Sequence, residues 1–314
     1  MESRSLGRTD LVLSEITLGT WGLAEQSYGK VPPERFEAVL RSAIDAGVTS
    51  FDVAPLWGDG EAERKVGRAL AEARIDEPVV ITRGGVERVD GKLRQSFASD
   101  DLVRGCEASL ERLGRETVEL FLLHNPGVDV LRREEWREGL ERLEQEGKIR
   151  AWGVSAGDTD EARVAIAAGA RAICITHNLL APNALEDLAA EVARSGCGIL
   201  ARSPLSYGLL AGQWSEGRVF AQDDHRARRW SAKAFAERVR QVNAFRFLVG
   251  PKHPDLATAA LRFVLSHPAV TTAIVGARTP AQILSAADAS SGRADLLSDD
   301  DLARLTKVRD KAGV

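Results

Sequence analysis

Eight short apolar runs, many of them β-branched, recur along this chain with helical stretches between them. They are EITLGTW (15–21), TSFDVA (49–54), PVVITR (78–83), ELFLLH (119–124), IRAWGVS (149–155), AICIT (172–176), GILARS (198–203) and TTAIVG (271–276). Runs this short and apolar predict strands buried on both faces, the environment of a parallel sheet. The segments between them carry the helical period. In PPERFEAVLRSAIDAG, residues Phe36, Val39, Leu40 and Ile44 fall on one face, and Gly47 is placed to stop the helix. SDDLVRGCEASLERLG opens on Ser99, suited to a cap, followed by acidic residues that suit the positive end of a helix. Strand–helix alternation implies right-handed crossovers. Eight units in 314 residues predict an α/β protein closed into a (β/α)8 (TIM) barrel. A doubly wound open sheet is the alternative, but no G-x-G-x-x-G follows any strand.

Residues 1–14 hold a polar turn, GRTD, between two extended pieces, the pattern of an N-terminal hairpin closing the barrel bottom. Residues 213–253 contain no strand candidate and read as a long loop before the last strand; such insertions sit at a barrel's active face. One domain, 1–314, is expected, with 44% hydrophobic residues to fill its core. The 42 basic and 46 acidic residues are well mixed, so neither nucleic acid nor a membrane surface is expected as a partner. No apolar run approaches the roughly 18 residues of a membrane span, and MESRSLGRTD has no signal-peptide core. Cys106, Cys174 and Cys197 lie far apart without metal-ligand spacing, as free thiols of a cytoplasmic protein would. Nothing in the pattern fixes the oligomeric state.

Barrel chemistry sits at the C-terminal ends of the strands. Here those ends are Trp21, Asp52, Arg83, His124, Ser155, Thr176 or His177, Ser203 and Gly276. Alone, each charged residue reads as a structural ion pair or a satisfied core histidine. Carboxylate, guanidinium and imidazole on three successive strand ends instead suggest one pocket. His225 beside Asp223 and Asp224 is poor metal geometry, so no metal is expected.

These residues, in this order, resemble the aldo-keto reductase family, over nearly the whole chain. RSLGRTDLVLSEITLGTWGL is similar to the family's opening hairpin and first strand, FDVAPLWGDGEAE to its Asp-plus-Tyr segment, VVITRGG to its lysine strand and VELFLLHNP to its histidine strand. FAQDDHR (220–226) with Trp230 resembles the loop of one bacterial branch. The resemblance implies catalytic roles for Asp52 and His124. It puts Trp57 where the family has its proton-donating tyrosine and Arg83 where it has lysine. It also implies a nicotinamide cofactor, NADPH with NADH as the alternative. Thr20, Trp21, Ser155, Cys174, Arg202, Ser203, Pro204, Leu205, Gly208, Gly276, Arg278 and Gln282 are the implied contacts, with Cys174 replacing a glutamine. Trp21, Trp57 and Trp230 are expected to wall the small-molecule substrate.

The departures change the chemistry. An indole has one N–H donor and no usable proton, whereas a phenol can be tuned by a neighbouring cation. Arg83 keeps the positive charge but is a poor proton relay. An imine avoids the difficulty, because it is protonated near neutrality and the iminium takes hydride directly; His124 would help protonate it. The expectation is therefore an NAD(P)H-dependent oxidoreductase acting on C=N rather than a simple carbonyl. The alternatives are a non-redox lyase or hydrolase in the same pocket, or a catalytically silent NADP(H)-binding barrel.

Overall fold

The computed structural model describes residues 1–290 and 296–314. Strands β1 (Ser3–Ser5) and β2 (Val12–Ser14) pair as the expected antiparallel hairpin. There follow β3 (Ile16–Gly19), β4 (Ser50–Asp52) and β5 (Val79–Gly84), then a second hairpin, β6 (Val86–Val89) with β7 (Lys92–Gln95). The series ends with β8 (Val118–His124), β9 (Ile149–Ser155), β10 (Ala172–Thr176), β11 (Gly198–Arg202) and β12 (Val270–Gly276). The eight strands expected from the apolar runs close, all parallel, in the order β3-β4-β5-β8-β9-β10-β11-β12, and β12 returns to β3. The open-sheet alternative is thereby excluded.

Successive strand residues face opposite sides. Along β5, Val79 and Ile81 point into the barrel; along β8, Leu120 and Leu122 do. They pack with Ala172, Cys174 and Leu200 in one buried cluster, which Leu6, Leu11 and Leu13 of the first hairpin complete from below. Arg4 fixes that hairpin, with its guanidinium on Glu15 at 2.6 Å and on the carbonyls of Leu265 and Val270 at 2.8 Å. The larger core lies outside the strands, under the helices.

The helices follow the sequence pattern with one correction. Pro33–Asp45 buries Phe36, Val39 and Leu40, and Gly47 beyond it takes φ +81°. Ser99 does not cap its helix. It begins Ser99–Leu113, and its hydroxyl bridges instead, donating to Glu135 O at 2.7 Å and accepting from Gly139 N at 2.8 Å. The long loop before the last strand is partly helical, with Ala232–Ala244 capped by Ser231. Its DDHR stretch crosses the barrel mouth: Tyr28 bridges Asp224, and His225 N donates to Ser27 O at 2.9 Å.

Candidate active site

The same alternation makes the site. Each strand contributes its last inward side chain: Asp52 after Ser50, Arg83 after Ile81, His124 after Leu122 and Arg202 after Leu200. Strand register places Gly19 beside Asp52, Ser155 beside His124 and Gly276 beside Gly19. A cleft of about 370 Å³ opens over them. Of the residues singled out in the sequence, Trp21, Asp52, Trp57, Arg83, His124, Ser155, Arg202, Ser203, Pro204, Leu205, Gly208 and Gly276 line it.

Asp52 and Arg83 form a buried ion pair, Oδ1 to Nη1, at 2.5 Å, with side chains 3% and 5% exposed. Burial pushes the Asp52 carboxyl up, and the Arg83 guanidinium pulls against it. Burial is the largest single influence on Arg83 and works to lower it, but the Asp52 carboxylate and Cys174 together outweigh it and raise the guanidinium above its ordinary value. Nη1 also donates to Val53 O at 3.1 Å, Nη2 reaches Cys174 Sγ at 3.8 Å, and the Trp57 ring lies 4.9 Å from the guanidinium carbon. Trp57 therefore caps the cation that Asp52 neutralises.

His124 departs from the sequence reading. Burial, then the charges of Arg83 and Arg202, drive its pKa down to about 3, and its Nδ1 is buried with no hydrogen-bond partner. It is neutral near pH 7, so it donates or accepts a hydrogen bond but does not supply a proton to an imine.

Other expected residues lie behind the walls. Thr20 is buried and donates to Asp52 O at 2.9 Å, holding the end of β4. Cys174 sits beneath Arg83. Arg278 donates to the carbonyls of Tyr28 at 2.6 Å and Gly29 at 3.1 Å, and Gln282 Oε1 accepts from Arg278 N at 2.7 Å. Trp230 is not on the cleft wall. It packs against Phe220 and Phe235 inside the insertion and edge-on behind Tyr207 of the cleft wall, so of the three expected tryptophans Trp21 and Trp57 line the cleft. His177 is also away from the cleft, stacked on Phe263. Among the described residues no cluster has metal-binding geometry.

The sequence reading missed Tyr28, Asn125 and Tyr207, which also line the cleft. Both tyrosines of the chain are therefore here. Tyr28 packs edge-on to Trp21 at 5.2 Å, and Arg229 lies 3.6 Å over Tyr207.

The donor set fits a nucleotide cofactor. Arg202 donates to Ala156 O at 2.9 Å and keeps a buried Nε without a partner. Arg278 is bonded to neutral carbonyls, which leaves its charge in place. Beside it begins the helix Pro280–Ala289, capped by Thr279, whose N-terminus suits a phosphate. Among the described residues, Asp52 is the single carboxylate on the cleft wall.

A parallel barrel with a polar cleft at its strand ends is the architecture in which barrel enzymes place their active sites. The chain belongs to the aldo/keto reductase family, whose profile matches residues 15–310. It is 28% identical over 293 residues to the aldo-keto reductase YhdN of Bacillus subtilis, covering 90% of this chain and 87% of that one. It is also 28% identical over 305 residues to an L-glyceraldehyde 3-phosphate reductase of Escherichia coli, covering 90% and 86%. The solved glycerol dehydrogenase AKR11B4 from Gluconobacter oxydans superposes with TM-score 0.86 at 27% identity, over 99% of this chain and 95% of that one. The chain is thus an oxidoreductase of aldo-keto reductase type.

Proposed function

We propose that this protein is an NAD(P)H-dependent reductase of a C=N bond, with NADPH as the preferred cofactor. One observation carries the reading: none of Trp57, Arg83 and His124, the groups gathered around Asp52, is a proton donor near neutral pH, and the two phenols on the cleft wall, Tyr28 and Tyr207, pack against Trp21 and His225 instead. Trp57 has no acidic hydrogen, Arg83 is held as a cation by Asp52, and His124 is neutral. An imine brings the missing proton on its own nitrogen. The Asp52–Arg83 pair and neutral His124 add no net charge of their own beside the reacting atoms; Arg202, the other charged residue on the wall, is among those that would hold the cofactor. His124 orients the substrate, and Trp57 shields the ion pair from water.

A reduced nicotinamide, when bound, supplies the hydride. Arg202, Ser203, Leu205, Gly208 and Gly276 are the residues that would hold it. Arg278 and the N-terminus of Pro280–Ala289 would take its phosphates, and the guanidinium favours the additional phosphate of NADPH.

The test offers imines and ketones of matched shape with NADPH and with NADH. Imine turnover should follow the protonation of the substrate's own nitrogen, falling as pH rises through its pKa. Turnover of the ketones alone would overturn the reading.

Direct carbonyl reduction is the second reading, favoured by relatives named for glyceraldehyde 3-phosphate and glycerol. On that reading Trp57→Tyr should raise ketone turnover, by up to the roughly 10²–10⁴-fold of a general acid. On the imine reading the substitution leaves imine turnover without such a gain.

A further inference from the structure

A second cleft, of about 340 Å³, lies beside the reaction centre. It is bounded by Pro55 and Asp59, by the β6–β7 hairpin and by the helix Ser99–Leu113, and Arg83 borders both clefts. Trp57, between Pro55 and Asp59 in the chain and stacked on Arg83, stands at the divide.

The second cleft is a built feature. The hairpin is tied down on both sides, by Arg88 Nε on Asp59 Oδ1 at 3.1 Å and by Gln95 Nε2 on Asn125 O at 3.2 Å. Facing it, the helix presents Gly105 and Ala108 between Asp101 and Arg112. Gly105 has no packing reason to be glycine: a Cβ there meets nothing within 4 Å. By contrast, a Cβ on helical Gly67 would lie 2.1 Å from Leu113 O. Glycine weakens a helix interior, and at position 105 its effect is to keep this cleft open.

The charges around the cleft are already matched. Arg83 pairs with Asp52, Arg88 with Asp59, Arg112 with Glu63, Glu87 with Arg94, and Asp101 with Arg94 and Arg104. A charged ligand would have to break one of these pairs. Hydroxyl or amide groups donate to the carboxylates and accept from the guanidiniums without doing so.

We propose that the second cleft is a subsite for an uncharged, hydrogen-bonding arm of the substrate, past Trp57 from the bond that is reduced. Its link to the substrate rests on the reductase reading; its existence as a binding site does not. Two measurements separate the two. Saturation-transfer NMR of the whole protein with threitol as probe needs no turnover. A signal in the wild type that is lost in folded Gly105→Leu and Ala108→Leu is expected. No signal, or an equal signal in the variants, would overturn the subsite.

Kinetics then compare matched substrates with and without a short hydroxylated arm. The wild type should favour the armed compound about tenfold in kcat/KM, through KM, and Gly105→Leu should erase the preference. A ratio unmoved by the variant would overturn the assignment to substrate. No turnover of any compound with either cofactor would remove the reductase reading and leave the threitol result to decide the subsite alone.

Discussion

Arg83 touches a carboxylate, a carbonyl, a thiol and an indole face. Such a residue is balanced by its partner and is costly without it. Asp52→Asn leaves a buried guanidinium without its counter-charge, and should lower unfolding free energy by about 3–5 kcal/mol. The double variant Asp52→Asn/Arg83→Met should lose clearly less; urea denaturation of both reads the difference. His124 sets a pH dependence. Its pKa falls from the ordinary value of 6.5 to about 3 on folding, so below pH 6.5 the unfolded chain binds a proton that the folded one refuses. Stability from this residue is therefore present above pH 6.5 and lost as pH falls toward 3, at up to about 1.4 kcal/mol per pH unit. His124→Asn should flatten that part of the stability–pH curve, measured by denaturant titration across the window. Asp52, Trp57, Arg83 and His124 were legible in the sequence because strand ends and segment order mark them. Tyr28 and Tyr207 were not, because they reach the cleft from segments without periodicity, Tyr207 with φ +60°. The neutrality of His124 was also hidden, since it depends on burial and on Arg202, which lies 78 positions away (202 − 124).

At the scale of elements, two neighbouring helices use glycine in opposite ways. Gly67, in Glu61–Ala73, lets that helix press against the end of Ser99–Leu113, and a Cβ would collide with backbone. Gly67→Ala should therefore destabilise. Gly105→Ala meets no neighbour and should stabilise, by about 0.5–1 kcal/mol; thermal denaturation of the pair tests both signs. The β6–β7 hairpin was missed although a signal was present. Asp90–Gly91 occupies its turn with φ +49° and +75°, and Asp-Gly between short alternating segments is a strong hairpin marker. The strands it joins are exposed, so they lack the apolar runs that revealed the barrel. Ser99 failed as a cap because its hydroxyl has a better use, joining two segments that the sequence separates by some forty positions.

Across the whole molecule, closure depends on the first fourteen residues as well as on the barrel strands. Leu6, Leu11 and Leu13 are fully or almost fully buried and complete the cluster that fills the lumen. Leu6→Ala should cost about 2–5 kcal/mol, the range for a buried leucine. In an equilibrium urea transition the barrel should respond as one unit, with a lowered midpoint and an unchanged slope. The barrel itself was legible because eight buried strands leave eight apolar runs. The helical content of the insertion was not read, although Phe235, Val239 and Val242 carry the helical period and join the main core, because charged and polar residues dominate the segment around them.

The indole at position 57 has one more consequence. Tryptophan emission overlaps the absorption of a reduced nicotinamide, and both Trp21 and Trp57 stand on the wall of the cleft that would receive one. With Trp21, the indole at position 57 places two fluorophores on the wall of the candidate site, which thus carries its own optical gauge. Cofactor occupancy should be readable as quenching without a label, and the share lost in Trp57→Phe would measure how near the cofactor ring comes to that residue.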